Sequence, residues 1–380
     1  MPLTVTPILP LHVAAVRVHV LSAPVAQPVR NSFRVLRERS SLLVEVIDAD
    51  GISGWGEIWC NYPPGAALHR ARLLTEVVAP LLAGKTFADP GAAFALLEQA
   101  LRVPALQCGE PGPFAQVAAG IDIALWDLAA RKAAQPLWKW LGGSPPVKVY
   151  ASGLGPEQPE RIAAQKLEQG FRAVKLKVGF DAGTDAANIR NLRAVVGEHG
   201  GIMLDANQRW DVEDAVAAAR NFAEFNPLWL EEPVPADVPV VEWCDLARRI
   251  VVPLAAGENL RGAQAFREMT GSGAVRVIQP DPGKWGGISG CIGIARHARE
   301  QGVLFCPHWL GGGIGLLAAL HLLGATGGHG FGEVDANPNP LRDEFLYPGF
   351  RVDQGGVTLG DGPGLGFVPD GDLLDRYRVL

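Results

Sequence analysis

Three carboxylates limit how this chain can fold. Asp205 in GIMLDAN, Glu231 in PLWLEEP and Glu258 in PLAAGEN each close a short apolar run, and they stand 26 and 27 residues apart. One strand plus one helix takes about that many residues, so the spacing predicts three acids at the C-terminal tips of three successive parallel strands. In a closed barrel those tips converge on one mouth, where catalytic groups gather. Three acids facing one another repel and cannot all stay ionised. A divalent cation resolves the repulsion, and an all-oxygen donor set favours Mg2+ over zinc. The pattern is that of a metal-dependent enzyme.

The rest of the chain extends this rhythm. Eight strand-like runs alternate with helical stretches from residue 147 onward: VKVYASG, AVKLKVG, GIMLDAN, PLWLEEP, PLAAGEN, AVRVIQPD, VLFCPHW and GFGEVDA. They predict an α/β fold of the (β/α)8 barrel type. Such a barrel takes about 250 residues, so a chain of 380 has room for a second, smaller unit. Residues 1–130 are predicted to form an N-terminal α+β capping domain and residues 131–349 the catalytic barrel. The Gly-rich segment 350–380 is expected to return and pack on the cap. Within the cap, AAVRVHVLSA and SSLLVEVIDADGISGWGEI read as antiparallel strands, the latter folded at an Asp-Ala-Asp-Gly turn. Residues 66–82 and 91–102 read as helical, 103–114 as a Pro- and Gly-bearing loop, and AQVAAGIDIALWDLAARKAA as a helix.

The formal charge of −6 gives no sign of a nucleic-acid partner. Five scattered cysteines without a CxxC pair argue for reduced thiols and a cytoplasmic protein. The apolar start carries its basic residues late, at Arg17 and His19, within an alternating run, so it reads as a first strand rather than a signal peptide. No uncharged apolar stretch reaches the ~18 residues of a membrane span.

Several further residues could carry chemistry. Lys175 and Lys177 lie two apart on one strand and so share its inward face. Each is expected to depress the pKa of the other, which would make a lysine a usable base near neutral pH. Asn207 repeats that spacing beyond Asp205 and could bond substrate or cap a helix. Glu231 and Glu232 are adjacent, so only one faces inward, and the residues alone do not choose between them. Asp281 and His308 end neighbouring strands, where an acid could fix the tautomer of the His and raise its basicity. Glu333 on the eighth strand completes the polar ring. A metal flanked by lysines and by a His–Asp pair suits removal of a proton α to a carboxylate.

These residues, together with GWGE at 54–57, the segment GIDIALWDLAARKAAQPLWKWLGG and the closing DGPGLGF, resemble the enolase superfamily and its mandelate racemase branch. Members use a Lys or His base with Mg2+, a property of the family rather than of the spacing. The resemblance implies that Asp205, Glu231 and Glu258 hold Mg2+, that Lys177 and His308 are the two acid/bases, and that Lys175 contacts the substrate carboxylate. Asp281 would pair with His308, and Glu333 would bond the developing enediolate. Asp rather than Lys at position 281 favours the racemase and acid-sugar dehydratase branch over cycloisomerases, with Lys284 three residues on. The expected activity is dehydration of a sugar acid to a 2-keto acid. Racemisation or epimerisation of a 2-hydroxy acid is the alternative, cycloisomerisation ranks lower, and a barrel that merely binds ligand ranks last. The expected partner is a small hydroxy-carboxylate, with neither nucleic acid nor membrane, and a homo-oligomer is expected. Arg30, with Asn31, Ser32 and Arg34, would present polar groups over the mouth. Trp59, Tyr62, Asn337, Asn339 and Arg342 could add contacts.

Overall fold

The computed structural model describes residues 10–30 and 35–379. Four antiparallel strands form the cap sheet: β1 (Leu11–Arg30), β2 (Val35–Asp48), β3 (Ser53–Ile58) and β4 (Thr86–Phe87), in the order β3-β2-β1-β4. The apolar start lies in β1, where Arg17 pairs with Glu45 and His19 with Leu43. The turn after β2 is pinned by Asp48, whose Oδ1 accepts the Asp50 and Ile52 N–H groups at 2.9 and 3.0 Å. Against this sheet lies the helix Pro111–Lys132. Gly54 and Gly56 of β3 permit the contact, since a Cβ at Gly56 would lie 2.0 Å from the Gly120 carbonyl oxygen.

The expected loop at 103–114 is shorter than its Pro and Gly content suggested. A helix runs through Pro90–Gln107 and the next begins at Pro111. Buried Leu101 and Ala105 hold the last turn of the first helix onto the core despite Pro104. Pro111 stands at a helix start, where its missing N–H needs no partner.

All eight expected barrel strands form: β5 (Val147–Leu154), β6 (Ala173–Lys177), β7 (Gly201–Asp205), β8 (Leu230–Glu231), β9 (Leu254–Ala256), β10 (Val277–Ile278), β11 (Leu304–Phe305) and β12 (Phe331–Asp335). Parallel pairing runs unbroken from β5 to β11, and β12 returns to pair with β5. Between β11 and β12 the Phe331 N–H meets Cys306 Sγ at 3.3 Å. Gly330 lies so close to β11 that a Cβ there would meet the Phe305 carbonyl oxygen at 1.7 Å.

Alternate residues point inward, as a pleated strand requires. Tyr150, Ala173, Met203, Trp229, Ala255, Val277 and Cys306 fill the lower barrel as a separate apolar cluster. The next inward positions, including Ser152, Lys175, Asp205, Glu231, Gln279 and Glu333, are polar and buried. The apolar plug thus forms the floor of a polar chamber.

Of residues 350–380, expected to return to the cap, the first part instead extends the barrel. A hairpin of β13 (Val352–Asp353) and β14 (Gly356–Val357) pairs antiparallel with the start of β5. The remainder reaches the cap. Leu365 N–H donates to Asp127 at 2.6 Å, Arg131 donates to the Phe367 carbonyl at 2.7 Å, and Val379 N–H donates to the Val20 carbonyl at 2.9 Å. Among the described residues no helix is long and apolar enough to cross a membrane.

Candidate active site

The register of β6, β7 and β8 sets Lys177, Asp205 and Glu231 side by side. Lys177 Nζ lies 2.5 Å from Asp205 Oδ2. Lys175 is fully buried and bonds both oxygens of Glu231, at 2.6 and 2.8 Å, and Glu333 Oε1 at 2.8 Å, with the Tyr150 ring 5.5 Å away. Glu231 also accepts from Gln279 Nε2 at 2.6 Å and Trp229 Nε1 at 3.3 Å. The Glu231/Glu232 ambiguity is resolved in orientation. Glu231 points into the chamber, whereas Glu232 takes a left-handed backbone (φ 36°) and turns to Asn259 Nδ2 at 2.7 Å.

Across the mouth, His308 Nδ1 lies 2.7 Å from Asp281 Oδ2, and its Nε2 lies 2.9 Å from Glu258 Oε2 and 3.6 Å from Glu333 Oε2. Asp281 is fixed in turn, because its Oδ1 accepts the Gly283 N–H at 2.8 Å and the Lys284 N–H at 3.1 Å. Ser152 donates to Glu333 Oε1. The Asn207 N–H donates to Asp205 Oδ1 at 2.9 Å from a left-handed backbone (φ 46°).

The net shift of both lysines is opposite to the depression the sequence suggested. Burial and the Lys175 charge oppose ionisation of Lys177, but Asp205, Glu231 and Glu258 together outweigh them, and its pKa is raised. Lys175 is buried too, yet Glu231 and Glu333 hold its pKa well above the ordinary value. The sequence reading paired each lysine with its twin, whereas the fold pairs each with a carboxylate. His308 is likewise raised well above its ordinary value, since Glu258, Glu333 and Asp281 together overcome its burial.

Nor do the three acids stand bare. Among the described residues no three His, Cys, Asp or Glu side chains are grouped so as to hold a metal ion. Instead each acid is turned onto a cation: Asp205 onto Lys177, Glu231 onto Lys175, and Glu258 onto Lys284 (3.1 Å) and His308. The donor set nonetheless fits a hard divalent cation. It is all oxygen, and burial together with the charges of Asp205, Glu333 and Glu258 pushes Glu231 up to about 7 despite Lys175. Buried oxygens of its neighbours, Glu333 Oε2 and Gln279 Oε1, make no hydrogen bond.

A cavity of about 380 Å³ opens above the chamber, lined by Lys177, Asn207, Glu258 and His308 from the barrel and by Trp59 and Tyr62 from the cap, among others. Trp59 N–H donates to the Gly283 carbonyl at 3.4 Å, and Asn61 donates to the Leu310 carbonyl, so this cap segment is stitched to the barrel loops. Asn337 also lines the cavity. Asn339 and Arg342 act in local structure instead: Asn339 caps a short helix at Leu341, and Arg342 donates to the Asp335 carbonyl at 2.6 Å. The side chain of Arg30 and residues Asn31, Ser32 and Arg34 lie outside the described residues.

Lys284 is the principal residue the sequence reading left without a role. Its Nζ bonds Glu258 and Asn259 (3.2 Å) and sits 4.8 Å from the Trp59 ring centre. A lysine three residues past a strand-tip acid was the available signal. Arg39 was missed as well; it crosses from the cap to Asp335 at 2.9 Å and lines the cavity.

Comparison with known proteins matches most of the chain to one family. Residues 14–142 match the mandelate racemase/muconate lactonizing enzyme N-terminal domain, and residues 159–373 match the enolase C-terminal domain-like family. The solved structure of a mandelate racemase/muconate lactonizing enzyme from Bordetella bronchiseptica is 48% identical with a TM-score of 0.92, covering 97% of this chain and 99% of that one. D-galactarolactone cycloisomerase from Agrobacterium fabrum is 30% identical over 97% of this chain and 99% of its own length. Arabinonate dehydratase from Saccharolobus solfataricus is 29% identical over 88% and 89%. The chain belongs to the mandelate racemase/muconate lactonizing enzyme family of the enolase superfamily.

Proposed function

We propose that this protein is a Mg2+-dependent dehydratase of a sugar acid or related hydroxy acid. The carrying observation is that Lys177 and the Asp281-bound His308 line one cavity together with Glu258. Asp205, Glu231 and Glu258 would hold Mg2+, which as a Lewis acid supplies charge stabilisation for a carboxylate that gains electron density.

The chain's own groups account for the proton movements. Lys177 removes the α-proton, and the electron pair of the broken C–H bond forms the enediolate. Asp205, foremost of the acids that hold the lysine's proton against its burial, would as a metal ligand be drawn off Lys177, which would free the amine to act as the base. His308, kept charged by its acidic neighbours, gives its proton to the departing 3-hydroxyl. The C–O bond breaks, water leaves, and the resulting enol becomes a 2-keto acid. Lys175 and Glu333 border the substrate carboxylate and the enediolate. Asn207, Trp59 and Tyr62 supply contacts to the rest of the molecule.

A second reading is favoured by the likeness to a lactone cycloisomerase. The same α-proton removal could expel the ring oxygen of a sugar-acid lactone, with His308 protonating that oxygen. One experiment separates the readings: a panel of acid sugars and their lactones incubated with Mg2+ and assayed for 2-keto acid. Expected is 2-keto acid from at least one open-chain acid, abolished by EDTA and restored by Mg2+. Turnover of lactones alone would establish the second reading. Exchange of the α-proton without loss of water would establish a racemase.

A further inference from the structure

Glu57 is a buried carboxylate with no place in the chemistry above, although it lies on the cap strand β3 and reaches the barrel. Its Oε1 accepts the Gly312 N–H and the Ser41 hydroxyl, both at 2.7 Å, and its Oε2 accepts the Gly315 N–H at 2.9 Å. Gly312 is the N-cap of the helix Gly313–Ala325 and has no side chain to bond the free N–H groups there. A residue of the other unit supplies the missing cap, and its charge suits the positive end of the helix. The loop is built to admit it, since a Cβ at Gly312 would lie 2.5 Å from Glu57 Oε1.

This helix end is tied to the His–Asp pair through Trp309, the residue after His308. The indole Nε1 donates to the Gly312 carbonyl at 2.9 Å. The ring is walled in by Gly283, Gly311 and Gly315, where added Cβ atoms would lie 2.4, 2.4 and 1.9 Å from its carbons. Gly283 in turn donates its N–H to Asp281. The Trp309 ring is therefore wedged between the backbone that fixes Asp281 and the helix end that Glu57 fixes. The Asp281 charge also reaches Glu57. Burial pushes Glu57 up to about 7, the Gly315, Ser41 and Gly312 donors work against that rise, and the Asp281 charge adds to it.

We propose that Glu57 is a positioning residue of the cap that, by holding the N-terminus of Gly313–Ala325 against Trp309, sets His308 in register with Asp281. The catalytic consequence rests on the proposed acid role of His308, whereas the positional claim does not. The test is Glu57→Gln, which keeps the size but turns an NH2 group toward a backbone donor. A proton shared between His308 Nδ1 and Asp281 should resonate far downfield in the wild-type NMR spectrum and vanish in His308→Asn. In Glu57→Gln this resonance is expected to move upfield or broaden, while kcat falls by up to about 10²-fold and KM holds. An unchanged resonance in folded Glu57→Gln overturns the proposal whatever its activity. A shifted resonance in a protein that turns over no acid sugar upholds the positioning and removes the dehydratase reading instead. If Glu57→Gln does not fold, Ser41→Ala, which removes one bond to Oε1, replaces it. A smaller shift there supports the proposal and no shift overturns it.

Discussion

Lys175 shows what one residue contributes when its charge is sealed inside the barrel. Its ammonium is shared by Glu231 and Glu333 above the Tyr150 ring. Removing one member of a buried pair leaves the others uncompensated. Lys175→Met, which keeps the stem and deletes the charge, should therefore destabilise the metal-free protein by about 3–5 kcal/mol in urea denaturation. A loss below about 1 kcal/mol, the range of an exposed pair, would contradict this account of the chamber. Period-two spacing was enough to turn Lys175 and Lys177 inward from sequence. The direction of their pKa shifts was not legible, because it depends on acids brought close by other strands. Lys284 was hidden for the same reason: its partners Glu258 and Trp59 belong to another barrel strand tip and to the cap.

At the scale of elements, the eight strands were legible because each apolar run ends in a polar tip, even where β8, β10 and β11 are only two residues long. The helix end at Gln107 was not, since Pro104 signals a break that burial of Leu101 and Ala105 overrides. Contacts between helices were invisible as well. Asp122 of the cap helix Pro111–Lys132 accepts the N–H and hydroxyl of Ser289, at 2.9 and 2.6 Å, from the barrel helix Gly287–Glu300. Burial pushes the Asp122 carboxyl up to about 7, with the Ser289 donors resisting. Because the folded state holds this proton more tightly than the unfolded one, the contribution is full below the ordinary Asp pKa and is lost as pH rises toward 7. The stability of the wild type relative to Asp122→Asn should thus fall by about 1.4 kcal/mol per pH unit between pH 5 and pH 7. Urea denaturation of both proteins across that range checks it, and a difference that does not vary with pH would refute the assignment.

For the molecule as a whole, neither unit makes the cavity alone. The barrel brings the acids, the lysines and the His–Asp pair, and the cap brings Trp59, Tyr62 and Arg39. Joining them are Arg39 to Asp335, Asn61 to Leu310 and Glu57 to the helix beyond His308. The chemistry of the floor was readable from strand tips, whereas the roof depends on loops whose approach no motif encodes. The central claim is that Lys177 takes the α-proton and His308 expels the leaving group. It is tested most directly by following α-proton exchange in D2O on the acid sugar that turns over, with Mg2+ present. His308→Asn should still exchange the α-proton for deuterium while releasing no 2-keto acid, and Lys177→Ala should do neither. Wild-type exchange and turnover in both variants would contradict the claim.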